Sequence, residues 1–137
     1  MKTNYAAVVV AGVAHWLLGA LWFAVIFGKS WLALEGITEA QAQGMANPWF
    51  PYVASFVLDV LMAFVLAQLC AWRSANTAAR GAALGILMWI GFTGPVMYTS
   101  YLYEMRPQAL FAINGFYPLV GFCLMGTILG AWTKKAA

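Results

Sequence analysis

Charge is what this 137-residue sequence most lacks. Only 8% of its residues are Asp, Glu, Lys or Arg, against about 25% in a soluble domain. A surface so poor in charge does not stay in water. With 64% apolar residues the lipid bilayer is the natural solvent for the chain. The net charge of +3 is small and its basic residues form no patch, so nucleic acid is not an expected partner. Cysteine is scarce too. Cys70 and Cys123 have no neighbours at metal-ligand spacing, so no metal site is expected and both read as small apolar residues. There is one histidine, His15, and one aspartate, Asp59. A hydrolase or transferase needs a paired acid and base, an activated nucleophile or a metal. That set is missing, so an enzyme is not expected. No cofactor is expected either, since a haem would find His15 as its sole side-chain nitrogen ligand.

Apolar length is what the sequence has in excess. A membrane span takes about 20 mostly apolar residues, and four segments qualify: 5–27, 49–72, 78–101 and 107–132. Each must be helical, because a segment in lipid satisfies its own backbone hydrogen bonds. The expected fold is therefore all-α, an integral membrane four-helix bundle forming a single transmembrane domain over residues 1–137. The first run is longer than a signal-peptide core and reads as a retained span.

The only long polar connection is the loop 28–48. Gly28 reads as a helix C-cap closing the first span. Thr38 and Gln41 have capping-box spacing, which predicts a short helix. Asn47 and Pro48 read as the N-cap and first residue of the second span. The turn SANTAAR and the link LYEMRP are short, so the third and fourth spans form a tight antiparallel hairpin. Lys2, Arg73, Arg80, Lys134 and Lys135 fall at one membrane face, Lys29 and Arg106 at the other. Cytoplasmic ends carry the excess of Lys and Arg, which predicts that both termini are cytoplasmic. Most of the seven tryptophans stand near span ends, as in an aromatic belt.

Two stretches carry a family resemblance. LLGALWFAVIFGKSW in the first span and INGFYPLVGFCLMGTILGAW in the last resemble the signature stretches of the DUF1761 family. The resemblance covers nearly the whole chain. It implies a small four-span protein of the bacterial inner membrane, and it implies no activity, because none is assigned to the family. A Tyr is usual in the family where Phe23 stands, and His15 is not a family signature.

The one histidine and the one aspartate both lie deep inside spans. His15 is ten residues beyond Tyr5, about 15 Å along a helix, and so near mid-membrane. Gly12, His15, Gly19 and Trp22 share a face, and its small residues admit another helix. Asp59 is ten residues beyond Trp49 on the oppositely directed second span, with Ser55 one turn before it. A bare carboxylate at the bilayer centre costs about 3 kcal/mol on insertion scales. It must be protonated, paired or wet, and His15 is the only titratable group expected at its depth. The spacing thus predicts a His15–Asp59 pair with Ser55 beside it. Removal from water favours the uncharged pair and mutual attraction favours the charged one. The plainer purpose is a satisfied polar clasp between helices; the sharper one is a proton or ligand site.

Pro95 and Pro118 interrupt the last two spans and free the carbonyls of Gly91 and Asn114. Two kinked helices joined by a tight turn predict an outward cavity lined by Tyr98, Thr99, Asn114 and Tyr117, with Glu104 and Arg106 at its rim. Plain kinked packing is the competing reading. Gly81/Gly85 and Gly126/Gly130 are G-x-x-x-G pairs that suit close packing of the last two spans, or of two copies. Two functions stay open: proton-linked or small-solute permeation through the mid-membrane pair, and an accessory or scaffold subunit that binds lipid or a membrane partner. Four short spans enclose little, so a homo-oligomer or a larger membrane complex is expected.

Overall fold

The computed structural model of the protein describes residues 2–134. Lys135, counted above in the charge balance, lies outside them. Among the described residues four helices are long and apolar enough to cross a membrane: Tyr5–Ile26, Phe50–Trp72, Ala78–Tyr103 and Gln108–Ala131. The described residues form no strand; a single bridge pairs Lys2 with Lys134. Large apolar side chains such as Leu17, Val25, Leu61, Ile90 and Phe92 point outward. Contiguous apolar surface of that kind belongs in lipid, and the chain is a multi-pass membrane protein.

Helix α1 spans Tyr5–Ala20, with the Asn4 side chain capping the Ala7 N–H at 3.2 Å. It runs directly into a π-helical segment, Leu21–Ile26. Gly28 does not cap it. The wide turn carries the Phe27 N–H back to the Trp22 carbonyl, and Gly28 then opens a new helix, α2, Gly28–Glu35. A glycine is needed there because a Cβ would sit 2.9 Å from the Phe23 carbonyl oxygen. The left-handed glycine cap comes one helix later, at Gly36 with φ 73°. The Thr38–Gln41 capping box is formed, and α3, Glu39–Gln43, follows it.

Helix α4 covers Phe50–Trp72. Its start also departs from the sequence expectation. Asn47 adopts φ 51° and serves the preceding turn, where its carbonyl accepts from the Phe50 N–H at 3.0 Å. Asn tolerates that left-handed conformation, and Pro51 takes the first-turn place reserved above for Pro48. Thr77 caps α5, Ala78–Met88. A second π-helical segment, Trp89–Thr93, precedes α6, Gly94–Tyr103. The widened turn delivers the chain to Pro95, which has no N–H to continue an α-helical ladder. Helix α7, Gln108–Ala131, contains Pro118.

Helices α5 and α7 touch backbone to backbone. A Cβ on Gly81 would overlap the Gly126 carbonyl, and one on Gly126 would overlap that of Gly81. Gly85 meets the Phe122 carbonyl and Gly130 that of Thr77 in the same way. The glycine pairs therefore serve the contact between the third and fourth spans. Helix α1 lies between α4 and α7. Gly12 abuts Val60 of α4, and Gly19 abuts the Tyr117 side chain of α7. The apolar core, including Ala7, Ala11, Ala63, Cys70 and Met125, fills the half of the bundle nearer the termini. That end is tied by Lys2 N–H to the Lys134 carbonyl at 3.1 Å, and by Asn4 Nδ2 to the Trp132 carbonyl at 3.2 Å.

Candidate functional site

Three spans each bring one polar side chain to the same depth. His15 is the eleventh residue of the first span, Asp59 the tenth of the second and Tyr117 the tenth of the fourth. His15 Nδ1 lies 2.9 Å from Asp59 Oδ1. Both residues are buried, His15 2% and Asp59 6% exposed. The Tyr117 hydroxyl donates to the His15 carbonyl at 3.1 Å and stands 3.3 Å from Nδ1. Its ring stacks on the imidazole with centroids 4.7 Å apart. On the far side Gly121 forms the seat of the ring, for any Cβ there would occupy the place of His15 Cδ2 and Nε2. Gly121 follows Tyr117 by one turn, so one face of α7 supplies both the stacking ring and the vacant side-chain position.

The remaining nitrogen, Nε2, is buried with no hydrogen-bond partner among the described residues. That leaves each protonation state with one defect. With Asp59 ionised and His15 neutral, Nδ1–H donates to the carboxylate, Nε2 carries only a lone pair, and a net negative charge stays in the membrane. An ion pair is neutral overall but adds an unbonded Nε2–H. A protonated Asp59 that donates to Nδ1 is also neutral and places the imidazole proton on the same unbonded nitrogen. A buried donor without an acceptor costs about 1–3 kcal/mol. A buried net charge also carries a cost. No protein group among the described residues fully satisfies the site in any of these states.

Around it the packing is aromatic. Phe23 meets Tyr117 edge to face at 5.1 Å, and Trp31 of α2 meets Phe23 at 5.5 Å. Trp22, in the first π segment, donates its indole N–H to the Ile113 carbonyl at 2.8 Å. Trp89, in the second, donates to the Gly115 carbonyl at 2.7 Å. These carbonyls flank Asn114, whose own carbonyl Pro118 leaves without its α-helical donor. The two π segments thus aim two indoles at the weakened turn of α7 just above the pair.

Other candidate residues are placed elsewhere. Ser55 is exposed, and its hydroxyl donates to the Tyr52 carbonyl of its own helix. The four residues expected to line an outer cavity make their hydrogen bonds in separate places. Tyr117 belongs to the His15 site. Tyr98 bonds Gln108 at 3.1 Å, and Thr99 donates to the Pro95 carbonyl. Asn114 joins a polar cluster at the end of the bundle opposite the termini. There Arg106 Nη2 reaches both Glu35 oxygens, at 2.8 and 2.9 Å. Asn114 Nδ2 donates to Glu35 at 3.2 Å and to the Tyr101 hydroxyl at 2.6 Å. The Arg106 guanidinium also lies over the Tyr101 ring, 4.4 Å from its centroid. Glu104 is left at 3.9 Å from Arg106, because α2 folds back and offers Glu35 in better geometry.

Sequence reasoning missed Tyr117 and Gly121 as parts of the mid-membrane site. The depth count that links His15 to Asp59 also reaches Tyr117, the tenth residue of the fourth span. No signal in the sequence joins Glu35 to Arg106, since the fold of α2 decides it. Among the described residues no three His, Cys, Asp or Glu side chains gather as a metal site would require.

A family model described as a protein of unknown function (DUF1761) matches residues 6–130, nearly all of the chain, and the protein belongs to that family. Neither the curated proteins nor the solved structures contain a match.

Proposed function

We propose that this DUF1761 protein moves protons, alone or with a small solute, through a cycle in which the His15–Asp59 pair gains and loses a proton. The observation that carries the reading is the orphaned Nε2 of a buried His–Asp pair. A buried nitrogen without a protein partner gains from any movement that brings it one. Intramembrane ionisable residues are functional candidates on general grounds. The Pro118 turn and the two π segments beside it are the places where such a movement has least to break, because their backbone ladder is already interrupted. The location we infer is a bacterial inner membrane, with both termini cytoplasmic, and the working unit a homo-oligomer or a larger complex.

The test is proton flux into vesicles loaded with a pH-sensitive dye. The wild-type protein is expected to dissipate an imposed pH gradient faster than empty vesicles do. Asp59→Asn, which keeps a hydrogen-bond acceptor for Nδ1–H, is expected to fold with unchanged helicity and fall to the level of empty vesicles. Wild-type flux no greater than that of empty vesicles, with or without candidate solutes, would overturn the proposal. An accessory or scaffold subunit, with the pair as a clasp between helices, would take its place. The close seat of His15 on Gly121 favours that second reading, since the ring has no open path on that side.

A further inference from the structure

A shallow hollow of about 340 Å³ lies beside the turn between α4 and α5, lined by Arg73, Ala75, Arg80, Ala83, Leu84 and Leu87. Arg73 is the C-cap of α4, and Arg80 stands in the first turn of α5. Arg80, Ala83, Leu84 and Leu87 are spaced i, i+3, i+4 and i+7, so they form one stripe down α5. The stripe begins with a guanidinium at the membrane end and continues as an apolar floor about 10 Å into the bilayer. Ala83, where a longer side chain would fill the groove, keeps the floor open.

Among the described residues no carboxylate side chain pairs with the arginines at this end. The sequence has four carboxylate side chains, Glu35, Glu39, Asp59 and Glu104. Glu35 and Glu104 flank Arg106 at the opposite end, and Asp59 is committed to His15. Glu39 opens α3, in the connection on the Glu35 side. Among the described residues neither Arg73 nor Arg80 has a carboxylate within 4.0 Å, which the three ion pairs of His15 and Arg106 account for. Arg80 spends one N–H on Asn76 Oδ1 at 3.4 Å, and each guanidinium carries five. The orientation rule for membrane proteins explains positive charge at this end. It does not explain a groove of lipid-chain character running down from the charge.

We propose that this hollow binds one anionic phospholipid, its phosphate held between Arg73 and Arg80 and an acyl chain lying along Ala83, Leu84 and Leu87. Basic pockets beside spans on the cytoplasmic side suit such head groups. The inference is independent of the proton-linked reading, because neither His15 nor Asp59 lines the hollow.

The experiment measures spin-labelled phosphatidylglycerol immobilised by the protein in phosphatidylcholine nanodiscs. Wild type is expected to prefer this lipid over labelled phosphatidylcholine by about thirtyfold, given about 1 kcal/mol for each of the two arginines near the surface. Arg73→Gln with Arg80→Gln is expected to abolish the preference. Both side chains are exposed, so the fold should not depend on them. Ala83→Trp, which fills the floor and keeps both charges, is expected to reduce immobilisation as well. Lys134→Gln, at the same end but outside the hollow, is expected to change nothing. The proposal is overturned if Lys134→Gln acts as strongly as the arginine variants, which would mean diffuse surface attraction. Displacement of the labelled lipid by inorganic phosphate would overturn it too, as the mark of a free-anion site, and so would the absence of any lipid preference.

Discussion

At Gly121 the difference between glycine and alanine is one methyl group, placed where the His15 imidazole already lies. Overfilling a packed site costs about 1–3 kcal/mol, so Gly121→Ala is expected to lower the melting temperature in detergent. The same substitution made in a His15→Ala background should cost much less, since the clash is with the ring itself. A double-mutant cycle on thermal denaturation checks this. Strictly additive effects would show that Gly121 is glycine for some reason other than His15. The His15–Asp59 pair was legible in the sequence, because depth along a helix is simple arithmetic and the chain has one histidine and one aspartate, both deep inside spans. Their surroundings were not. Tyr117 reads equally well as a cavity wall until the rotation of α7 about its axis is known, and Gly121 is one of 13 glycines. The sequence does not mark which glycine faces a ring.

Among the elements, α2 differs most from its expected role. The loop 28–48 reads as polar connection, yet its first eight residues form a helix that lays Trp31 on Phe23 and Glu35 on Arg106. One two-oxygen contact with Arg106, supported by Asn114, anchors it to the start of α7. Arg106→Lys keeps the charge but gives up the planar guanidinium that meets both oxygens and covers the Tyr101 ring. Hydrogen exchange should then quicken over 29–36 while the amides of α5 and α7 keep their protection. Equal acceleration across α7 would mean that Arg106 supports the bundle rather than α2. Local signals found the Thr38–Gln41 capping box, since its geometry closes within four residues. They misplaced the ends next to Gly28 and Asn47. At the first, a π turn shifts the hydrogen-bond register. At the second, two prolines three residues apart compete for one helix start.

The whole molecule places its ionisable groups in three zones: arginines and lysines near the termini, one pair at mid-depth, and the Glu35–Arg106 cluster at the other end. This division is the basis for expecting cytoplasmic termini. A fluorescent protein that matures only in the cytoplasm, fused after Ala137, should therefore fluoresce, and alkaline phosphatase at the same point should stay inactive. The reverse result would invert the orientation. The four spans and their antiparallel order were legible because length and apolarity suffice to define a span. The placing of α1 between α4 and α7 was not, because it depends on which small residues meet which neighbour. The placing of α1 also bears on how the protein is made. A ribosome releases His15 first and Asp59 second, and it supplies Tyr117 and Gly121 only with the last span. The first two spans can thus enter the membrane as a hairpin that hides its own polar groups, each residue shielding the other from lipid. The final helix arrives late and closes the bundle, bringing a phenol ring and a bare backbone to a contact that is already formed.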